Sequence, residues 1–97
     1  MYKIVYEKQA VRDIAYLKSA KIDKKAKALI DVIRDNPFQN PPPYEALIGN
    51  LLGLYSRRIN IKHRLVYQVK SEECDIDNIH YDGIIKIIRM WSHYEGI

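Results

Sequence analysis

Apolar residues follow two different periods along this chain, and these periods predict where its helices and strands lie. From Glu7 to Ala20 the apolar residues recur every three or four positions, and the same spacing returns from about Ile22 to Asn36. Each stretch therefore predicts an amphipathic helix, and Asn36-Pro37 is expected to end the second one. Because the break between them is short, the two helices should form an antiparallel hairpin.

Alternating side-chain faces and a richness in β-forming residues predict the strands. The segment between residues 71 and 83 is polar and acidic, and it leaves room for one more short strand around Asn78–Tyr81. The resulting order, β-α-α-β-β-β, predicts a single α+β domain over residues 1–97, in which the helical hairpin packs on one face of a twisted antiparallel sheet. The four main predicted strands are Tyr2–Tyr6, Leu51–Asn60, Arg64–Lys70 and Ile84–Trp91.

Positive charge is concentrated in the stretch from Ser56 to Lys70, which contains no carboxylate. In its second strand Leu65, Tyr67 and Val69 share one predicted face, and Arg64 lies on the other. The net charge of the whole chain is only +4, so the local asymmetry is more informative than the total. Since the planar guanidinium group suits phosphate, the stretch predicts an anionic partner, most plausibly a nucleic acid.

The remaining composition excludes several classes of protein. Cys74 is the only cysteine, so no intrachain disulfide can form, which fits a reducing compartment. The N-terminal residues lack the apolar stretch of a signal peptide, and no apolar run reaches the length of a membrane span. We therefore expect a cytoplasmic protein without membrane association. The histidines and the cysteine match no metal-ligand spacing, so no metal site or cofactor is expected.

Four features could together supply chemistry: Glu45 after the proline-rich loop, Arg58, Arg64, and the pair His93-Tyr94. A base, two phosphate-binding cations and a proton donor are the groups needed to cleave RNA without a metal, provided that they converge in space. Because Arg57 and Arg58 are neighbours on a strand, their side chains must point to opposite faces, so one of them can serve the site. Arg58 and Arg64 share a face only if the turn between them has an odd number of residues or contains a bulge.

Six short motifs along the chain occur together in a known family. They are Pro37-Phe38, Tyr44-Glu45-Ala46-Leu47, Asn50-Leu51-Leu52-Gly53, Ser56-Arg57-Arg58-Ile59, His63-Arg64-Leu65-Val66-Tyr67 and His93-Tyr94. With these motifs the chain resembles the YoeB branch of the RelE-type toxins, within the RelE/ParE superfamily of toxin–antitoxin modules. The similarity implies a toxin that cleaves mRNA in the ribosomal A site, without a cofactor. It also implies a cognate YefM- or Phd-like antitoxin that covers the active site, and it makes a homodimer plausible.

The resemblance also implies a role for each matching residue. Glu45 corresponds to the general base and His93 to the general acid. Arg58 and Arg64 correspond to phosphate-binding arginines, and Tyr94 corresponds to a residue that helps to position the substrate. From the residues themselves, Tyr55 is a further candidate for stacking on a base, and Arg57 is a further candidate for contacting the substrate.

Two other functions remain open at the level of sequence. The first is a ParE-like toxin, which has a similar fold but inhibits DNA gyrase. The second is a non-catalytic, basic RNA-binding module, which would bind RNA in a salt-dependent way without cleaving it. Considered alone, Glu45 would be an ordinary solvated carboxylate in a loop.

Overall fold

The computed structural model describes residues 1–91 and shows two helices and seven strands in that part of the chain. A single 3-10 turn, Gly49–Leu51, precedes β3. The order confirms the predicted succession of a strand, a helical hairpin and further strands. The elements are β1 (Lys3–Tyr6), α1 (Lys8–Ser19), α2 (Asp23–Asp35), β2 (Glu45–Ala46), β3 (Leu54–Arg58), β4 (Arg64–Lys70), β5 (Cys74–Ile76), β6 (Ile79–Tyr81) and β7 (Ile84–Arg89).

Five strands form the main sheet in the order β1-β7-β4-β3-β2, and β5 pairs with β6 in a separate hairpin. The α+β class is thus confirmed, with one difference in the sheet. The first strand pairs in parallel with the last one, whereas the other pairs of the main sheet are antiparallel. This parallel pair joins the two ends of the described chain, and no local sequence pattern reports such a contact.

The helices cover one face of the main sheet, because the apolar stripes of both helices need a partner surface. On the sheet this core contains Leu65 and Tyr67 from β4 and Ile85 and Ile87 from β7, each of them fully buried. Leu65 and Tyr67 therefore face inward, as the alternation of β4 predicts. The helices contribute Ala10, Leu17, Ala26, Ile30 and Ile33 to the same core.

Glycine and turn residues explain where the observed strands begin and end differently from the strands predicted from the sequence. The predicted strand Leu51–Asn60 is shortened to Leu54–Arg58, because the 3-10 turn and Gly53, with φ of 97°, occupy its beginning. The short strand expected near Asn78–Tyr81 is present as β6 and pairs with β5. Asp77 and Asn78 connect these two strands with φ values of 52° and 65°, the left-handed geometry that a tight two-residue hairpin turn requires.

Gly83 permits close packing between β4 and the start of β7. A Cβ atom at this position would lie 2.2 Å from the carbonyl oxygen of Lys70 and 3.0 Å from the ring of Tyr2. The backbone oxygen cannot move away without disturbing the ladder in which Lys70 pairs with Ile84.

We therefore expect Gly83→Ala to lower the free energy of unfolding by about 1–3 kcal/mol through overpacking. The measurement is urea unfolding followed by circular dichroism. Ala15→Ser, which adds one heavy atom at an exposed position of α1, serves as the control and should stay within about 0.5 kcal/mol of the parent. A Gly83→Ala protein as stable as its parent would contradict the close approach.

Candidate functional site

Two arginines lie directly opposite each other where β3 and β4 meet their connecting loop. Arg58 pairs with Arg64 in the register of the two strands, so both side chains leave the same face of the sheet. The loop between them spans residues 59–63, an odd number, which is the condition for a shared face that the sequence left open. Like charges in this position repel each other. Within residues 1–91, neither arginine forms an ion pair with a carboxylate.

The loop holds Arg64 in place and leaves Arg58 exposed. Asn60 organises the loop, because its side-chain oxygen accepts hydrogen bonds from the backbone N–H groups of Lys62 and His63 at 3.0 and 2.7 Å. Nη1 of Arg64 donates to the carbonyl oxygen of Asn60 at 2.9 Å, so this side chain is already oriented. The side chain of Arg58 makes no hydrogen bond within residues 1–91 and is exposed to solvent.

Glu45 is brought to the same face by β2, a strand of two residues at the edge of the sheet. It pairs with Ser56, which precedes Arg58 by two residues on β3. This register places Glu45 diagonally from Arg58, with about 7–8 Å between their Cα atoms. Arg64 lies one strand further away, at about 12 Å from Glu45 if two strand spacings and two residues are combined. The exposed carboxylate and the two long cationic side chains thus project from the same face of the sheet.

Arg57 lies on the opposite face and is only 1% exposed. Its Nε donates to the hydroxyl of Tyr67 at 3.1 Å. Its terminal nitrogens donate to the carbonyl oxygens of Pro37, Gln39 and Pro42 at 3.0, 2.8 and 2.6 Å. Arg57 thereby fastens residues 37–42 to the sheet, and this loop ends three residues before Glu45.

The expectation that Arg57 contacts the substrate is therefore corrected, because every nitrogen of its guanidinium group is engaged inside the protein. The expectation that Tyr55 stacks on a base of the substrate is corrected for a related reason. Tyr55 lies on the same face of β3 as Arg57, away from Arg58 and Arg64, and its ring packs edge-on against Phe38 with 5.1 Å between ring centres. The inward direction of alternate residues on β3 removes both side chains from the arginine face.

The other predicted site residues divide into two groups. Glu45, Arg58 and Arg64 share one face of the sheet, so the geometry is consistent with their predicted roles. His93 and Tyr94 lie outside the described residues, and their roles stay predictions.

Sequence reasoning missed a buried carboxylate in α1. Asp13 is fully buried, and its Oδ2 accepts hydrogen bonds from Nε of Arg89 and from the backbone N–H of Met90, both at 2.9 Å. A signal was present in the sequence, because Asp13 stands in the apolar stripe formed by Ala10, Ile14 and Leu17. An acidic residue at such a position predicts a buried partner.

One group of potential metal ligands exists in the described part of the chain. Glu73, His80 and Asp82 bring ligand atoms within 4.8 Å of one another, but all three are exposed and belong to the region of the β5–β6 hairpin. Nδ1 of His80 lies 2.8 Å from Oδ1 of Asp75, and this hydrogen bond raises the pKa of His80. We therefore interpret the group as a surface charge network.

No helix within residues 1–91 has the length and apolar character needed to cross a membrane.

The family model for the YoeB-like toxin of bacterial type II toxin–antitoxin systems matches residues 6–94. Toxin YoeB of Escherichia coli K12 is 35% identical over 81 residues, which cover 81% of this chain and 96% of that protein.

Solved structures extend the similarity to the fold. The YoeB–YefM complex from Staphylococcus aureus gives a TM-score of 0.71 at 36% identity, covering 97% of this chain and 99% of the other. The YoeB dimer from the same organism gives 0.73 at 35% identity, covering 96% and 98%. The YoeB/ParE toxin from Agrobacterium tumefaciens gives 0.78 at 26% identity, covering 95% and 99%.

The fold and the matching family model together define a toxin of a bacterial type II toxin–antitoxin system. Within that class the chain belongs to the YoeB-like family, which confirms the resemblance seen in its motifs.

The buried position of Arg57 predicts that neighbouring arginines differ greatly in their contribution to stability. Arg57→Met leaves three carbonyl oxygens without the donor that holds them, so we expect the free energy of unfolding to fall by about 3 kcal/mol or more. Arg58→Met is the matched control at the next residue, where the side chain is exposed, and a change within about 0.5 kcal/mol is expected. Equal losses of stability in the two variants would refute the assignment.

Tyr67 predicts a loss of stability at alkaline pH. Burial raises the pKa of Tyr67 above its ordinary value of 10.0, although the hydrogen bond from Arg57 acts in the opposite direction. A raised pKa means that the folded state binds the phenolic proton more tightly than the unfolded state. The contribution of Tyr67 is therefore complete below pH 10 and is lost as the pH rises through the pKa of the folded state.

Tyr67→Phe should consequently be less stable than the parent at pH 8, because it loses the hydrogen bond to Pro37, but its stability should fall less steeply above pH 10. Urea unfolding at a series of pH values measures both effects. Parallel stability curves for the two proteins over the alkaline range would show that Tyr67 does not titrate differently on folding.

Proposed function

We propose that this YoeB-like toxin is an endoribonuclease that cleaves mRNA on the ribosome. The observation that best supports this activity is the pair of directly opposed arginines, Arg58 and Arg64, on the same sheet face as Glu45. Two cations held side by side without a carboxylate partner among residues 1–91 favour an anion between them, and a phosphodiester supplies that charge.

The proposed reaction is attack of a ribose 2′-oxygen on the adjacent phosphorus. Glu45 removes the proton from the 2′-OH, and the oxygen forms a bond to phosphorus. Arg58 and Arg64 stabilise the extra negative charge on the pentacoordinate transition state. His93 donates a proton to the departing 5′-oxygen, while Tyr94 helps to position the substrate. The products are a 2′,3′-cyclic phosphate and a 5′-OH, and the mechanism needs no metal ion or cofactor.

We infer a requirement for the ribosome from the exposed position of the proposed base. Glu45 is exposed on a two-residue edge strand, and Tyr55, the described aromatic candidate for holding a base, lies on the other face. The described residues of this surface suit a phosphate, and Tyr94 is the remaining candidate for orienting a nucleotide. A ribosome that presents mRNA in a fixed conformation would supply further orientation for in-line attack. A ribosome-dependent activity also implies a cytoplasmic location.

The antitoxin partner is proposed from the charge of the same face. A related toxin has been solved as a YoeB–YefM complex and also as a YoeB dimer. For this chain we infer a YefM- or Phd-like antitoxin, with an acidic or amphipathic segment that covers Arg58, Arg64 and Glu45 and thereby blocks the site. Because a related toxin has been solved as a dimer, we also propose a homodimer of the free toxin.

We expect Glu45→Gln and His93→Gln each to reduce mRNA cleavage by about 10²–10⁴-fold, the usual contribution of one proton-transfer group. The assay adds the purified toxin to a reconstituted translation reaction with a defined mRNA, and primer extension maps the new 5′ ends. Glu72→Gln and His80→Gln make the same chemical changes at exposed positions of the acidic segment and should cleave like the parent.

A parallel reaction without ribosomes should leave the mRNA intact. Wild-type activity in both Glu45→Gln and His93→Gln would refute the assigned roles. Intact mRNA in every reaction would refute the nuclease itself. In that case, breaks in DNA that depend on gyrase would identify a ParE-like toxin, and salt-sensitive RNA binding without cleavage would identify an RNA-binding module.

A further inference from the structure

The last described residues, Arg89, Met90 and Trp91, are held more firmly than the end of an isolated strand would be. Asp13 of α1 accepts hydrogen bonds from Nε of Arg89 and from the backbone N–H of Met90, both at 2.9 Å. The carboxylate is buried and the Arg89 side chain is only 12% exposed, so this ion pair is shielded from solvent. The end of β7 is thus tied to α1 through both a side chain and the backbone.

Trp91 is held by two aromatic rings. The ring of His63 stacks on it with 3.9 Å between ring centres and an interplanar angle of 15°. The ring of Tyr16 stacks on it at 5.4 Å and 22°. Tyr16 follows Asp13 by three residues, so both contacts come from the same side of α1. Residues 89–91 are therefore fixed by α1 and by the loop between β3 and β4.

His63 acts in this arrangement as a packing group. Its side chain is only 6% exposed, and its Nδ1 is buried without a hydrogen-bond partner among the described residues. Its backbone is fixed as well, because its N–H donates to the side chain of Asn60 at 2.7 Å. The next residue is Arg64, so a single short loop orients both a phosphate-binding side chain and the ring beneath Trp91.

We propose that Asp13 and the ring stack of Tyr16, Trp91 and His63 position the general acid; we call this group of four residues the terminal clamp. Only one residue separates Trp91 from His93 in the sequence. Fixing Trp91 relative to Arg64 therefore restricts where the imidazole can be delivered relative to the bound phosphate. This inference rests on the proposed function, and it assigns the four residues to positioning and not to direct contact with RNA.

The terminal clamp can be tested through the leaving group. Programmed ribosomes carry one of two mRNAs in the A site, with either oxygen or sulfur as the bridging 5′ atom of the scissile bond. A 5′-alkoxide needs a proton in order to leave, whereas a 5′-thiolate leaves without one, so a defect in the general acid disappears on the sulfur substrate. Single-turnover rates on both substrates are measured for proteins shown by circular dichroism to be folded.

We expect His63→Ala, Trp91→Leu and Asp13→Asn each to slow cleavage of the oxygen substrate by about 10²-fold, the effect of a displacement near 1 Å. On the sulfur substrate the rates should approach that of the wild type, as His93→Gln should also do. Glu45→Gln should remain slow on both substrates. His63→Phe retains an aromatic ring and should restore most of the rate that is lost in His63→Ala.

Asp31→Asn provides the matched control for Asp13→Asn, because Asp31 also pairs with an arginine, Arg34 at 2.9 Å, but on the exposed surface of α2. It should cleave both substrates like the wild type. Folded clamp variants that cleave the oxygen substrate at the wild-type rate, or that are equally slow on both substrates, would overturn the inference and leave the proposed function standing. A wild-type protein that cleaves neither mRNA would instead refute the proposed function.

Discussion

The guanidinium group of Arg57 is the buried group on which the candidate site depends. It is almost fully buried and forms no ion pair with a carboxylate within residues 1–91, so backbone carbonyls and the hydroxyl of Tyr67 must replace the water it has lost. The carbonyls belong to the proline-rich loop, where proline lacks the N–H that would allow a regular ladder. The donors of Arg57 and the carbonyl acceptors of the loop thus form each other's hydrogen bonds. The chain that follows this loop places Glu45 on the edge strand of the sheet.

Because β3 is pleated, its two adjacent arginines point to opposite faces of the sheet and have different roles. Arg57 points toward the core and organises the loop, whereas Arg58 points to the other face and stands opposite Arg64. Repulsion between Arg58 and Arg64 works against folding, and the buried hydrogen bonds of Arg57 and the apolar core outweigh it. An unfavourable charge pair maintained in this way favours the binding of an anion, such as the proposed RNA substrate or the proposed acidic segment of an antitoxin.

Helix α1 holds the end of β7, and in the proposed mechanism this contact affects the site that contains Arg58 and Arg64. The apolar stripe of α1 packs on the sheet, and Asp13 within that stripe receives the end of β7. Buried contacts therefore hold the chain upstream of both the proposed base and the proposed acid. The buried cation Arg57 holds residues 37–42, which precede the proposed base, and the buried anion Asp13 together with the ring stack holds residues 89–91. Each buried charge is satisfied by backbone groups as well as by a side chain, so its removal would disturb the path of the chain.

The sequence by itself determined the helical hairpin, the order of the four main predicted strands, the family and the basic hairpin, because periodicity and motifs are local properties of the chain. It did not predict the short strands β2 and β5. It also showed that only one of Arg57 and Arg58 can serve the site, and the motif resemblance favoured Arg58. Only the tertiary structure decided that Arg57 is the buried one, since the direction of β3 depends on its pairing with β4 and on the loop that covers its end. The parallel pairing of β1 with β7 and the contact of Asp13 with Arg89 also required the structure, because they join residues from opposite ends of the chain.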